Sequence, residues 1–273
     1  MPIVNTFSNG SARGLGFTAG GKKLVLLSAS PAPSATVTTY SGYIVFKFTS
    51  SGTLNVGDGV PAPADVFVVG GGASGANVPS GGPTPLPGGT GGTGGKTRAI
   101  PGTTITAGSP IPVTVGGTNT ASLFGPLSSA PGTTGGSGGS GGASGVPTPN
   151  PSNSATPGSP GGAGNPNVYL TGSSQNYAGG GGGGGGAGIN KTAGGGSGGP
   201  VGGGSGGRGG SFNLPAFTLT PGTPGNAGSA NTGGGGGGGA GTASYTITVP
   251  GTPGGAGGSG VVVARFPDTF FTT

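Results

Sequence analysis

The apolar residues of this chain are gathered into short runs, and long stretches rich in glycine separate the runs. Three apolar runs come early, at 36–48, 65–69 and 103–115, and two more, at 243–249 and 261–266, close the chain. They are rich in β-branched and aromatic types, which fit the pleated surface of a sheet. Glycine and proline disfavour a helix by about 1 and 3 kcal/mol per residue. The pattern therefore predicts strands and essentially no α-helix.

Local signals refine the strands in the first part of the chain. The run 36–48 is either a pair of strands or one bent strand, and 24–27 fits a short strand or a helical turn. A turn at 50–52 comes directly before Thr53–Val56. This arrangement predicts a hairpin in which 53–56 pairs with the strand before it.

Two expectations concern the position of strands within a sheet. The early run 65–69 and the last run 261–266 are expected to pair in one small sheet, although they are far apart along the chain. Pro110 and Pro112 cannot donate a backbone hydrogen bond to a neighbouring strand. The strand at 111–115 is therefore expected at a sheet edge.

Glycine is arranged in a repeat. Of the 273 residues 77 are glycine, with Gly-Gly-Xaa repeated at 88–95, 135–142 and 254–260, and two unbroken runs at 179–186 and 233–239. A period of three is the turn of a polyproline II helix, which makes no hydrogen bonds within itself. Its N–H and C=O groups need outside partners, and glycine lets another backbone come close. The repeat predicts polyproline II helices that bundle side by side.

These patterns combine into one fold class. We expect an all-β chain with an irregular glycine-rich region, in which small β-sheet units lie at both ends and a bundle of polyproline II helices lies in the middle. Such a bundle is typical of a scaffold rather than of an enzyme.

The composition removes the usual side chains of catalysis. The chain has no cysteine, no histidine and no glutamate, and its acidic residues are Asp58, Asp65 and Asp268. Disulfides, thiolate nucleophiles and cysteine zinc sites are excluded, and general acid–base chemistry lacks its usual groups. The glycine runs also lack the strand-to-helix context of a phosphate-binding loop. We expect no catalytic residue, no cofactor and no metal site.

The charge pattern argues against nucleic acid and membrane partners. The formal net charge is +6, and the cationic residues are spread out, with only Lys22 and Lys23 adjacent. No basic stripe interleaved with aromatic residues is present, so nucleic-acid binding is not expected. No run of about 18 apolar residues occurs, so membrane insertion is not expected. Residues 1–5 do not begin a signal peptide.

A series of motifs carries a family resemblance. In chain order they are Gly-Tyr-Ile-Val-Phe-Lys-Phe-Thr-Ser-Ser-Gly-Thr-Leu-Asn-Val at 42–56, Ala-Asp-Val-Phe-Val-Val-Gly-Gly-Gly at 64–72, Pro-Val-Thr-Val-Gly-Gly at 112–117, Ala-Ser-Leu-Phe-Gly at 121–125 and Gly-Gly-Ser-Gly-Val-Val-Val-Ala-Arg-Phe-Pro-Asp at 257–268. Together, over about 37–268, the chain resembles the glycine-rich domain of bacteriophage tail-fibre and other virion proteins, and of some bacterial surface proteins. Its polyglycine segments are similar in composition to those of phage tail-fibre-tip adhesins.

The resemblance implies a non-enzymatic structural protein of a phage virion, in a tail fibre, a tail tip or a capsid-surface appendage. It implies a role in host attachment and a homo-oligomer, with the trimer usual for fibres, bound to other virion proteins. A host surface glycan or an outer-membrane protein would be the receptor. The protein would be assembled in the host cytoplasm and released by lysis. The expected parts are an N-terminal docking segment (1–36), a β-rich part (37–115), a glycine-rich polyproline II region with loop interruptions (116–242) and C-terminal strands that pair back onto the β-rich part (243–273).

Two interruptions of the glycine region are the candidate contact surface. They place Tyr169 and Tyr177 at 167–178, and Phe212 and Phe217 at 211–220. Aromatic rings supply contact area at low entropic cost and can stack on sugars. The alternative is that these rings fill the hydrophobic core of the bundle.

Two other functions stay open at this point. A polyproline II bundle with a regular row of threonine or alanine could bind ice, although the Xaa positions here are mixed. The chain could also be a structural protein of a bacterial surface or matrix.

Overall fold

The computed structural model of the protein describes residues 35–54, 62–81, 85–106, 110–128, 155–214, 216–242 and 248–270. The docking segment at 1–36, except its last two residues, lies outside this part, as do the predicted strand at 24–27 and residues 243–247. The described part contains fourteen strands, one 3₁₀ turn at Asp268–Phe270 and no α-helix. The predicted all-β class is thus confirmed. The strands are β1 Ala35–Tyr40, β2 Tyr43–Phe48, β3 Gly52–Leu54, β4 Ala62–Val69, β5 Thr97–Ile105, β6 Ile111–Thr114, β7 Leu123–Phe124, β8 Leu127–Ser128, β9 Asn165–Asn167, β10 Gln175–Tyr177, β11 Gly188–Ile189, β12 Ser211–Asn213, β13 Thr218–Thr220 and β14 Val261–Pro267.

The largest sheet has five antiparallel strands in the order β1-β2-β14-β4-β5. Strand β14 pairs with β4 so that Val261 lies opposite Val69, which confirms the pairing expected between the two ends of the chain. The run 36–48 is a pair of strands, since Ser41 and Gly42 adopt positive φ angles of 44° and 79° between β1 and β2. Glycine tolerates such an angle without cost.

The second sheet has the order β3-β6-β7-β8 and corrects two expectations. The predicted hairpin between β2 and β3 is wrong: β3 pairs with β6, because both sides of β2 are taken by β1 and β14. The predicted edge position of β6 is also wrong, since β6 lies between β3 and β7. Pro112 is accommodated just beyond the β6–β7 pairing, where its carbonyl accepts the Gly125 N–H at 2.8 Å and no donor is needed.

The two sheets pack face to face over one hydrophobic core. Phe46 and Phe48 of β2, Phe124 of β7 and Phe266 of β14 are buried in it, and the rings of Phe46 and Phe266 meet edge to face with centroids 5.7 Å apart. Full burial of each such ring stabilises the fold by about 1.5–3 kcal/mol. This sandwich, formed by β1 to β8 and β14, anchors the glycine-rich part.

The glycine-rich part consists of nine extended segments in the described residues. They are segment 1 (70–78), segment 2 (86–96), segment 3 (156–164), segment 4 (178–187), segment 5 (193–200), segment 6 (202–210), segment 7 (221–229), segment 8 (233–242) and segment 9 (252–260). Segments 1 and 2 come from the stretch 37–115 that the sequence assigns to the β-rich part.

Hydrogen bonds join the segments with a period of three. In segment 8, Gly235, Gly238 and Gly241 donate to carbonyls of segment 4 at 2.8–2.9 Å, while the residues between them donate to segments 1 and 7. The described segments make no such bonds within themselves. A period of three without internal bonds is the pattern expected of polyproline II helices packed side by side.

The bonded pairs define three layers of segments. The first holds segments 1 and 2, the second holds 9, 8, 4 and 3 in that order, and the third holds 7, 6 and 5. Segment 8 is bonded to segments 1, 2, 4, 6, 7 and 9 and is therefore surrounded. Segment 4 is bonded to segments 2, 3, 5, 6 and 8. These two hold the unbroken glycine runs 233–239 and 179–186, and every residue of both runs is buried.

Close approach explains why the two inner segments are all glycine. A Cβ on Gly237 would lie 2.0 Å from the carbonyl oxygen of Ser205, and a Cβ on Gly182 would lie 2.1 Å from that of Gly196. No side chain fits at such a distance. In outer segments one residue of each triplet faces solvent, as Thr90 does, so Gly-Gly-Xaa is sufficient there.

The bundle has two distinct ends. At the near end segment 1 follows β4 directly and segment 9 leads directly into β14, so this end joins the sandwich. The β9–β10 hairpin also lies here, with Tyr177 packed on the outer face of the five-stranded sheet. At the far end β11, β12 and β13 form a small three-stranded sheet.

Candidate contact surfaces at the two ends of the glycine bundle

Tyr177, at the near end, is an interior residue. Its side chain is 5% exposed, and its ring meets that of Phe67 edge to face with centroids 5.1 Å apart. Burial raises the pKa of the Tyr177 hydroxyl above its ordinary value. The ring joins the β9–β10 hairpin to the large sheet, so it cannot present a contact surface to a partner.

Tyr169 lies in the turn between β9 and β10 and covers Arg265. The Arg265 guanidinium lies between two rings, 4.2 Å from the Tyr169 centroid and 4.4 Å from that of Tyr43. Stacking of this kind stabilises by about 0.5–2 kcal/mol. The pKa of Tyr169 is raised, first by burial and next by the negative charge of Asp65. Tyr169 is therefore part of an internal cluster and only partly accessible.

Arg265 is the centre of that cluster. Its Nε and Nη2 atoms lie 2.9 Å and 2.8 Å from Asp65 Oδ2, and Nη1 donates to the Tyr40 hydroxyl at 2.8 Å. That hydroxyl is also 2.9 Å from the carbonyl oxygen of Tyr169, to which it donates. Burial acts against the charge of Arg265, but the bonds to Tyr40 and Asp65 outweigh it and raise the pKa. The cluster fastens the hairpin of the bundle to the sandwich.

The sequence interpretation did not select Arg265, Asp65 or Tyr40. The positions of Asp65 and Arg265 in their two apolar runs carry a signal for their contact. When Val69 is placed opposite Val261 in an antiparallel pair, Asp65 falls opposite Arg265, as the structure shows. The predicted pairing of the two runs brings this ion pair together only in that antiparallel register. The contribution of Tyr40 depends on how the hairpin folds back.

Phe212, at the far end, is also interior. It is 3% exposed in β12 and packs with Ala187 and Leu219 in a small hydrophobic cluster. This cluster closes the end of segment 4. Of the two far-end rings selected from the sequence, Phe212 thus fits the alternative of a core role.

Phe217 is the exposed aromatic residue of the far end. Its side chain is 71% exposed and stands edge to face on Phe212, with ring centroids 6.3 Å apart. Its backbone has a positive φ of 51°, which is strained for a side chain of this size. Leu214, in the same β12–β13 loop, is 39% exposed, and its N–H donates to the Asn190 side chain. The loop thus holds two apolar side chains in water.

Among the residues that the structure describes, the far end has no negative side chain. All three acidic residues, Asp58, Asp65 and Asp268, lie outside 70–260. Lys191 and Arg208 lie close to the β11–β13 sheet in the chain, and Arg208 donates to the Thr192 hydroxyl at 2.6 Å and 3.1 Å. The exposed apolar loop is therefore accompanied by positive charge.

The described residues contain no group of three or more metal-ligating side chains. In the same part of the chain no helix has the length and hydropathy needed to cross a membrane. No protein-family model matches the chain, and no curated protein matches its sequence. The function must therefore be argued from the geometry of the two ends.

Proposed function

We propose that this chain is a non-enzymatic structural protein of a phage virion, in a tail fibre, a tail tip or a capsid-surface appendage, and that it presents its far end to the host. The observation that carries the proposal is Phe217, an exposed ring on a strained backbone at the end of a hydrogen-bonded scaffold. Strained positions of this kind are concentrated at ligand-binding sites.

The scaffold suits this role because its stiffness comes from the backbone. Each inner segment is bonded to five or six neighbours, and its glycine residues leave no flexible side chains between the layers. The β12–β13 loop is thereby held at a fixed place, and a loop on a rigid support carries a smaller ordering cost on binding.

The proposed partner of the loop is a host surface glycan or an outer-membrane protein. Phe217 offers a ring for stacking on sugar or on an apolar side chain, while Lys191 and Arg208 would attract anionic groups. Of the four rings selected from the sequence, Phe217 is the one that we propose as a direct contact. We further propose that the protein acts as a homo-oligomer, as a trimer, together with other virion proteins.

Location in the particle is tested by immunogold electron microscopy of virions from the source, with an antibody against residues 211–220. We expect label at the ends of fibres or of surface appendages, and peptides of this chain in mass spectrometry of the same particles. Absence of the peptides from purified particles would overturn the virion assignment.

The contact role of Phe217 is tested by binding of purified protein to the cells that the virions infect. We expect Phe217→Ala to lower cell binding at least about tenfold, as for loss of a central aromatic contact. Val201→Ala is the matched control, because Val201 is also 49% exposed with a positive φ of 54° but lies at the near end. Equal binding by both variants and the parent would overturn the contact role without touching the virion assignment.

A further inference from the structure

One position in the lattice of segments has no occupant among the described residues. Segment 8 has six neighbours, whereas segment 4 is bonded to segments 2, 3, 5, 6 and 8. The missing sixth position lies beside segment 4, between segments 2 and 3. It would be the third member of the layer that holds segments 1 and 2. A groove one segment wide therefore runs along segment 4.

Segment 4 forms the floor of this groove, and most of its glycine carbonyls accept a hydrogen bond from a neighbouring segment. Along segment 4, the carbonyls of Gly179, Gly182 and Gly185 accept from segment 8, and those of Gly180 and Gly183 accept from segment 5.

The remaining third of the carbonyls, those of Gly181 and Gly184, accept no N–H from the described residues, although both glycines are buried. Since three residues make one turn, these carbonyls point at the empty position. Buried carbonyl groups are nearly always paired, so a donor is missing.

Segment 2 forms one wall of the groove, and here N–H groups lack an acceptor among the described residues. Gly89, Gly92 and Gly95 donate to segment 8, but no described residue accepts the N–H of Gly88 or Gly91. The wall lies close to the floor, since a Cβ on Gly91 would be 2.0 Å from the carbonyl oxygen of Gly181. The groove thus needs donors for its floor and acceptors for its wall, both repeating every three residues. A glycine-rich segment with a period of three supplies both.

We propose that the groove is the docking site of the Gly-Gly-Ser run Gly135–Gly142 of this same chain. Strand β8 ends at Ser128 in the sandwich, while segment 3 begins at the far end, where the Thr156 carbonyl accepts the Gly186 N–H. The chain from 129 to 154 must therefore travel from the near end to the far end. Eight residues at about 3.1 Å each span about 25 Å, and the run 135–142 has as many residues as the glycine run 179–186 beneath the groove. With its glycines toward the groove, the run would carry its two serines at the outward position of each triplet.

The inference is tested by amide hydrogen exchange followed by NMR on the full chain. We expect the Gly91 N–H to be protected in the parent. In Gly139→Val, which places a branched side chain in the run, we expect its exchange to be at least about tenfold faster, because local opening sets the rate. Ser140→Val, at the outward position, should exchange like the parent. The Gly89 N–H, which donates to Gly239 at 2.7 Å, should stay protected throughout and shows that the bundle is folded.

A second variant tests whether Gly139→Val changes the exchange of the Gly91 N–H only indirectly. Replacing 129–154 by a linker of equal length built from serine and asparagine should remove the protection of Gly91, and adding the peptide Gly-Gly-Ser-Gly-Gly-Ser-Gly-Gly should restore part of it. Unprotected Gly91 in the parent, or equal protection in the parent and the linker variant, would overturn the proposal. Protection that rises with protein concentration would also overturn it, because a second copy would then occupy the groove.

Discussion

Arg265 and Asp65 face each other across β14 and β4, 200 residues apart in the chain, and their side chains form an ion pair of 2.8 Å. Both are largely buried, at 14% and 19% exposed. The pair lies where the sandwich meets the hairpin of the bundle, so it couples β4 and β14 to the glycine-rich part that lies between them in the chain.

Removal of one partner should leave the other buried without a counter-charge. We expect Arg265→Met to lower the free energy of unfolding by about 3 kcal/mol, since it also removes the guanidinium from between two rings. Arg98→Met, at an exposed position on β5, should change it by less than about 0.5 kcal/mol. Urea unfolding of both variants measures this difference, and equal midpoints would show that the cluster does not fasten the two parts.

The effect of a glycine-to-alanine substitution on stability should depend on the space around that glycine. A Cβ on Gly237 would lie 2.0 Å from a backbone oxygen, whereas a Cβ on Gly194 meets nothing within 4 Å. We expect Gly237→Ala to cost about 3 kcal/mol through overpacking. Gly194→Ala should be neutral or stabilise by up to about 1 kcal/mol, because alanine loses less entropy on folding. Thermal unfolding distinguishes them, and a similar loss in both would refute the close packing of segment 8.

Alkaline pH should weaken the attachment of the hairpin through Tyr177. Burial raises the pKa of its hydroxyl, so the folded state keeps this proton to higher pH than the unfolded state. The associated stability is fully present below about pH 10, the ordinary tyrosine value, and is lost as the pH rises through the folded-state pKa. Tyr177→Phe should therefore lose less Tm than the parent between about pH 9 and 11.5. Parallel pH profiles of the two proteins would contradict this.

The strained loop should be more stable without its large side chain. Phe217 has a φ of 51° and is 71% exposed, so Phe217→Gly relieves backbone strain and removes little buried surface. We expect a net gain of about 1 kcal/mol in the free energy of unfolding. Asn190 has a φ of 59°, but asparagine tolerates this region, so Asn190→Gly should gain less. Denaturant unfolding measures both, and a loss of stability in Phe217→Gly would disprove the strain.

Much of the fold follows from local sequence signals. The two wrong expectations, the partner of β3 and the edge position of β6, both concern which strands lie side by side. The alternation of strands and glycine blocks along the chain predicts that the runs at 65–69 and 261–266 pair, and β4 and β14 do pair. The wrong partner of β3 arose because adjacency along the chain was used, while both sides of β2 are occupied by strands from elsewhere. Competition for a strand edge is a property of the whole sheet and is not present in a local pattern.

The candidate site shows the same limit. Tyr177 and Phe217 are both aromatic residues beside glycine runs, yet one is 5% and the other 71% exposed. The difference depends on what each ring meets: the outer face of the sheet covers Tyr177, and the end of the bundle leaves Phe217 in water. The sequence could identify the four rings but could not assign them to core or surface.

The period of three in the hydrogen bonds limits how the glycine runs can change in length. One residue inserted into segment 8 would rotate every later N–H and C=O by about 120° and direct each of them at a different neighbour. Insertion of three residues restores every direction. Insertions and deletions within these runs should therefore be tolerated in multiples of three residues. The β12–β13 loop at the far end can lengthen or shorten by any number of residues.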